Sequence, residues 1–115
     1  FSKVGDVDAT NSWYRDMLGL GGQYGVIFRF GDDSADGYSV FSPFKADSDY
    51  FAPSEAPFMI NLRVDDLDAV LTALKEKGIE PLGRQDEDYG SFAWILDPNG
   101  IKLELWQQRG PAPPA

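Results

Sequence analysis

The amino-acid sequence predicts an α+β fold in which two βαβββ modules form cupped, mixed sheets. The first observation is an internal repeat, because residues 4–9 (Val-Gly-Asp-Val-Asp-Ala) recur as residues 64–69 (Val-Asp-Asp-Leu-Asp-Ala). The second is that each copy joins a strand-like stretch to a helical one. The third is that three extended segments follow each helical stretch. A repeat at this spacing indicates two units of the same local architecture.

The helical stretch after each repeat is about twelve residues long by its apolar periodicity. In the second copy the spacing i, i+3, i+4, i+7 marks one apolar face, made of Leu67, Val70, Leu71 and Leu74. Asp65 or Asp66 can cap its start, and Gly78 can end it. In the first copy Gly19 ends a weaker stripe, made of Val7, Thr10, Tyr14 and Met17 or Leu18.

The extended segments are predicted at residues 21–23, 24–30 and 38–44 in the first module and at 80–84, 91–96 and 101–106 in the second. Asp97-Pro98-Asn99-Gly100 is a strong turn, because proline suits its second position and Asn-Gly accepts positive φ. The modules therefore span residues 1–44 and 58–107 of a single domain. An aperiodic linker covers residues 45–57, and residues 108–115 form a flexible tail.

Composition excludes several kinds of chemistry. The chain has 115 residues, which is the size of one domain, and 43% of them are hydrophobic, which is enough for a core. It contains no cysteine and no histidine. Disulfide scaffolds, thiol nucleophiles, Ser-His-Asp triads and metal sites built on Cys or His are therefore excluded.

The charge balance indicates which classes of binding partner are unfavourable for the chain. Ten Lys and Arg against nineteen Asp and Glu leave a net charge of −9, which disfavours nucleic acid and anionic membranes as partners. No apolar run reaches the roughly 18 residues of a membrane span, and no signal-peptide pattern opens the chain. We expect a cytoplasmic protein. Because the pattern typical of a β-strand already includes Phe1, we expect the natural N-terminus to extend upstream.

Alternation along two strands sorts their side chains into two faces. One face is uniformly apolar and is expected to pack under the helices; it carries Ile60, Leu62, Val64, Ile101, Leu103 and Leu105. The other is mixed; it carries Met59, Asn61, Arg63, Lys102, Glu104 and Trp106. Since Met59 and Trp106 are unfavourable in water, we expect the modules to enclose the mixed face as a ligand cleft. A solvated face and a dimer interface are the alternatives.

These features resemble the glyoxalase/bleomycin-resistance/dioxygenase superfamily, also called vicinal oxygen chelate, over about residues 1–107. The resemblance lies in the two modules, the strand-to-helix join at residues 64–69 and the ending Asp97-Pro98-Asn99-Gly100-Ile101-Lys102-Leu103-Glu104-Leu105. It implies a paired-module fold with a cupped sheet. It also implies four ligand positions for a divalent metal, on the first and last strands of the modules, where the metal would act as a Lewis acid or redox centre.

Carried onto this chain, the implied ligand positions fall on Glu104, on Met59, near Phe41 and two residues before Phe1. Only Glu104 is a family-like ligand, because thioether and phenyl groups do not suit Mg, Mn, Fe or Ni. A divalent metal is therefore disfavoured, and no cofactor is assigned.

Three functions are compatible with the sequence. The favoured one is a metal-independent binding protein for a cationic or aromatic small molecule, expected to act as a homodimer and to bind through Phe41, Met59, Asn61, Arg63, Lys102, Glu104 and Trp106. The second is a lyase, isomerase or dioxygenase of the superfamily that uses Glu104 as ligand or base. The third is a protein-interaction domain with no small-molecule role. Glu104 could also simply pair with Lys102 or Arg63, and the aromatic side chains of Tyr89, Phe92 and Trp94 are expected to pack in the core.

Overall fold

The βαβββ order occurs twice along the chain in a computed structural model that describes residues 1–21, 25–29 and 37–111. The first unit, within Phe1–Asp49, contains β1 (Ser2–Val4), α1 (Val7–Leu18), β2 (Val26–Arg29), β3 (Tyr38–Phe41) and β4 (Pro43–Lys45). The second, Tyr50–Gly110, contains β5 (Ile60–Arg63), α2 (Leu67–Glu76), β6 (Gly83–Glu87), β7 (Gly90–Leu96) and β8 (Lys102–Gln108). The predicted α+β class is confirmed. Most of the strand predicted at residues 21–23 lies outside the described residues.

The repeated hexapeptide is a helix cap in both units. The carboxylate of Asp6 accepts a hydrogen bond from the Ala9 amide at 2.8 Å, and that of Asp66 accepts one from the Ala69 amide at 3.0 Å. Each aspartate thereby satisfies an amide that the first helical turn leaves without a partner. α1 ends as predicted at Gly19, whose φ of 67° lets its amide donate back to the Arg15 carbonyl. Neither helix of the described ranges is long and apolar enough to cross a membrane.

The first and last strands of each unit pair in parallel, β1 with β4 and β5 with β8. In the first unit the strand predicted at residues 38–44 is divided at Ser42. Its first part, β3, pairs antiparallel with β2, and its second part, β4, pairs with β1. Beside this division Gly25 has a φ of 103°, and a Cβ there would lie 2.4 Å from the Phe41 carbonyl oxygen. The close approach of the two backbone segments therefore requires glycine at this position.

The second unit has a four-stranded sheet in the order β5-β8-β7-β6, with α2 packed on β7 and β8. Its buried core lies between helix and sheet and consists of Leu67, Ala93, Ile95 and Leu105, flanked by Val64, Val70, Leu71, Leu74 and Leu103. The prediction that Ile60 and Leu62 are core residues is wrong, because they are 40% and 47% exposed. They lie on the edge strand β5, beyond the two strands that α2 covers.

The turn predicted at residues 97–100 is confirmed, and the strand after it is longer than predicted. One carboxylate oxygen of Asp97 accepts hydrogen bonds from the amides of Asn99 and Ile101 at 2.8 and 2.9 Å. β8 runs on to Gln108, and the Arg109 amide donates to the Tyr89 carbonyl at 2.9 Å. Gln108, predicted as the first residue of a flexible tail, is therefore part of the sheet, because it pairs in register with Gly90 of β7.

We predict that Asp66→Ala lowers the free energy of unfolding by about 1 kcal/mol, because the Ala69 amide loses its capping partner. The neighbouring variant Asp65→Ala is the control, since Asp66 and not Asp65 is the capping residue. Urea denaturation of both variants measures the difference. Equal stability of the two variants would show that the cap has no energetic role.

We predict that the contribution of Asp97 to stability depends on pH. The amides of Ile101 and Asn99 hold the pKa of Asp97 below its usual value. A carboxyl group whose pKa is lower in the folded state stabilises the fold above its unfolded pKa of about 4, and this contribution is lost as the pH falls below that value. The Asp97→Ala variant should therefore unfold at a lower urea concentration than wild type at pH 7. The difference between the two urea midpoints should be smaller at pH 3. A difference between the urea midpoints that stays constant with pH would contradict the prediction.

Candidate functional site

The strand register gathers the predicted site residues on one face of the second unit's sheet. Glu104 on β8 pairs with Asn61 on β5 and with Trp94 on β7. Two residues away on each strand, Trp106 pairs with Arg63 and with Phe92. Directly paired residues share a face, and Lys102 shares it through alternation along β8. This is the mixed face predicted above, and it lies opposite α2; on these strands it carries the predicted Asn61, Arg63, Lys102, Glu104 and Trp106 and, in addition, Phe92 and Trp94.

Glu104 lies at the centre of the mixed face and is only 2% exposed. Its Oε1 accepts a hydrogen bond from the Asn61 amide nitrogen at 2.7 Å. Its Oε2 accepts from the Trp94 indole N–H at 2.9 Å and from the Tyr50 hydroxyl. All three donors are neutral, and together they satisfy a carboxylate that burial would otherwise destabilise.

Lys102 is also buried, at 8% exposure, and its ammonium faces the two rings that contact Glu104. Nζ lies 5.2 Å from the ring centroid of Tyr50 and 5.4 Å from that of Trp94, and donates to the Tyr50 carbonyl at 2.5 Å. The two rings meet edge to face at 6.1 Å. This is the geometry of a cation–π site with two aromatic walls.

Tyr50 remains a hydrogen-bond donor over the ordinary pH range. Burial raises the pKa of its phenol well above the usual value, and the hydrogen bond to Glu104 and the charge of Glu104 raise it further. All three effects disfavour the phenolate. The hydroxyl therefore stays protonated and available to the Glu104 carboxylate.

An aromatic row, made of Tyr89, Phe92 and Trp106, extends from the buried part of the mixed face toward solvent. The rings of Phe92 and Trp106 are stacked, with centroids 6.0 Å apart and planes 9° apart. Tyr89 meets Phe92 edge to face at 5.8 Å. Trp106 is 7% exposed and Tyr89 59% exposed, so the row has a buried end and an open end.

The other predicted site residues make contacts of their own. Glu104 does not pair with Arg63, whose guanidinium is exposed and donates to the Gln108 side chain at 3.2 Å. Phe41 lies in the first unit, where its ring packs against Tyr14 at a centroid distance of 4.9 Å. Met59, directly before β5, is buried at 2% exposure.

The register also corrects the residue that corresponds to Glu104 in the first unit. Arg63 pairs with Trp106, and Lys3, 60 residues before Arg63, pairs with Phe44. Phe44 is thus the counterpart of Trp106, and two residues back the counterpart of Glu104 is Ser42, not Phe41. Phe41 follows Gly37 by four residues, as Glu104 follows Gly100, but the strands after these two glycines, β3 and β8, differ in length. A shift of one residue places a side chain on the opposite face.

The residues present do not fit the divalent metal that the resemblance implies. Both Glu104 oxygens already accept hydrogen bonds, and the groups around them present N–H and O–H donors toward the carboxylate. Within residues 1–21, 25–29 and 37–111, no group of three or more acidic side chains could hold a metal ion. A hard divalent cation needs several oxygen ligands at once.

Sequence reasoning missed Tyr50 and Trp94 as site residues. Trp94 could have been found by counting back from the turn at Asp97, because a tight hairpin there places it opposite Glu104. Tyr50 gave no such signal. It lies in the segment predicted as an aperiodic linker, and its contact with Glu104 spans 54 residues.

We predict that Tyr50→Phe lowers the free energy of unfolding by about 1–3 kcal/mol, because it removes one donor from a buried carboxylate. Tyr89→Phe deletes the same hydroxyl from an exposed ring and is the matched control, with an expected change below about 0.5 kcal/mol. Urea denaturation at pH 7 measures both. Equal effects of the two substitutions would contradict an energetic role for the Tyr50–Glu104 hydrogen bond.

Comparison with solved structures supports the fold. The NAD-dependent benzaldehyde dehydrogenase structure from Legionella pneumophila superposes with a TM-score of 0.60 at 13% identity, covering 94% of this chain and 96% of that one. A glyoxalase/bleomycin resistance protein from Catenulispora acidiphila is 22% identical, with 92% of each chain covered and a TM-score of 0.39. A lactoylglutathione lyase from Agrobacterium tumefaciens is 21% identical, with 91% and 87% covered and a TM-score of 0.38. The last two scores are too low to support an inference.

No curated protein matches this sequence significantly. The profile of the Glyoxalase/Bleomycin resistance protein/Dioxygenase superfamily, however, matches residues 3–105, which include the elements of both units up to the middle of β8. The repeat, the capped helices and the parallel pairing of first and last strands all lie within this range. The chain therefore belongs to the glyoxalase/bleomycin resistance protein/dioxygenase superfamily.

Proposed function

We propose that this chain binds a small planar aromatic molecule, without a metal ion, on the mixed face of the second unit. The observation that carries the proposal is the aromatic row, which has a buried end at Trp106 and an open end at Tyr89. A planar guest that stacks along such a row gains ring contacts and buries apolar area. Ligand sites typically combine aromatic walls with a few polar groups.

Asn61 and Arg63 supply the polar groups. Both are exposed on β5, and they are register partners of Glu104 and Trp106. The guanidinium of Arg63 contacts the Gln108 side chain through one nitrogen, and an arginine has five N–H donors in all. Oxygen atoms on the rim of an aromatic guest would accept hydrogen bonds from these two side chains.

The contacts of Glu104 favour binding over catalysis in this proposal. To remove a proton from a substrate, Glu104 would have to give up one of the hydrogen bonds from Tyr50, Asn61 or Trp94. Its role in the proposed site is to position Asn61 and the Trp94 ring. The homodimer and the cytoplasmic location stay predictions from the sequence.

The test is a calorimetric titration with naphthalene-2-carboxamide, a neutral planar probe. We expect saturable binding that is unchanged by EDTA. Trp106→Leu and Phe92→Leu should weaken the affinity about tenfold or more, which corresponds to about 1.4 kcal/mol of lost ring contact. Trp13→Leu, which alters an exposed tryptophan of α1, is the matched control and should bind as wild type does.

Two results would overturn the proposed function. One is the absence of saturable binding to wild-type protein at millimolar probe. The other is unchanged affinity in a Trp106→Leu variant that retains its cooperative unfolding transition. Loss of binding on addition of EDTA would contradict the metal-independent part of the proposal.

A further inference from the structure

We infer that Lys102 is the resident cation of a site formed by Tyr50, Trp94 and Glu104, and that Lys102 at this site and Arg63 beside Trp106 exclude cationic guests from the mixed face. The guest is then a neutral or anionic aromatic molecule. This inference specifies the charge of the guest and, for that consequence, rests on the proposed function. The existence of the lysine-filled site can be tested without any guest.

The first step is the place of the ammonium. Lys102 Nζ lies over two aromatic rings at 5.2 and 5.4 Å from their centroids, within the range of cation–π attraction. It also donates to the Tyr50 carbonyl, and the side chain is buried. Ring faces and a carbonyl oxygen are the groups that hold ammonium ligands, so a side chain of this protein occupies the position that a cationic guest would need.

The second step is the coupling between the rings and Glu104. The Tyr50 hydroxyl and the Trp94 N–H both donate to Glu104 Oε2. Hydrogen bonding to an anion polarises each ring toward greater electron density, which strengthens its attraction for a cation. The buried carboxylate and the buried ammonium therefore stabilise each other through the two rings, and loss of the ammonium would leave the carboxylate charge uncompensated.

The third step is the effect on a guest. A second cation beside Lys102 would meet its positive charge, and a cation on the aromatic row would meet that of Arg63, which is exposed and pairs in register with Trp106. The net charge of −9 acts at longer range and is screened beyond about 8 Å at physiological ionic strength. Local charge therefore outweighs net charge in setting which guest is accepted.

The first experiment tests whether Lys102 fills a cation site. Lys102→Ala removes the atoms of n-propylammonium, so this probe should raise the melting temperature of the variant by about 4 °C or more near saturation. Wild type and the exposed-lysine control Lys77→Ala should show no such rise. The double variant Lys102→Ala/Glu104→Gln, which lacks the buried negative charge, should not respond either.

A folded Lys102→Ala variant that responds no more than Lys77→Ala would overturn the inference, as would an equal response of the double variant. If the Lys102→Ala variant does not fold, proton NMR of wild type tests whether the Lys102 side chain lies over the two rings. The ε-methylene protons of Lys102 should resonate upfield of those of exposed lysines because they lie over two rings, and Trp94→Leu should reduce this shift. An ordinary chemical shift for these protons overturns the inference.

The second experiment tests the charge of the guest. Wild type should bind 2-naphthoate and naphthalene-2-carboxamide at least about tenfold more tightly than N-methylquinolinium, a planar cation of similar size. Quinolinium binding as tight as that of naphthoate overturns the inference about the guest while the proposed function stands. If none of the three probes binds, the proposed function is overturned. The propylammonium experiment then still decides whether Lys102 fills a cation site.

Discussion

The second unit depends on the burial of one carboxylate. Glu104 is on β8, the strand that pairs with both β5 and β7, so its side chain projects from the middle of the sheet. A buried carboxylate is unfavourable unless donors surround it. Here the donors come from three separate parts of the chain: Tyr50 before the sheet, Asn61 on β5 and Trp94 on β7. The position of each part is therefore constrained by the same two oxygen atoms.

The two faces of this sheet have different physical roles. The face toward α2 is a conventional apolar core, in which Leu67 and Ala93 are completely buried. The mixed face combines a buried Glu104, a buried Lys102 and the aromatic row. Buried charge in such a place costs stability compared with an apolar core, and it contributes directional contacts that an apolar face does not offer. Together with the aromatic row, these contacts support the proposal that a ligand binds on the mixed face.

Membership in the superfamily is compatible with a set of described residues that does not fit a divalent metal. At the strand position where the resemblance implies a metal ligand, this chain has a carboxylate whose two oxygens already accept hydrogen bonds from three neutral donors. The counterpart in the first unit is Ser42, and the implied position before β5 is the buried Met59. A fold of this kind can carry different chemistry in the same place because side chains, not the backbone topology, make the site.

The sequence alone predicts the two modules, a helix cap at Asp65 or Asp66, the turn at Asp97 and the face of the sheet on which Glu104 lies. Each of these depends on residues close together in the chain or on a repeat that can be counted. The contact of Tyr50 with Glu104 and the exposure of Ile60 and Leu62 follow from the three-dimensional arrangement alone. Those outcomes depend on which strand lies at the edge of the sheet and on which distant segment reaches a buried charge, and no local pattern encodes either.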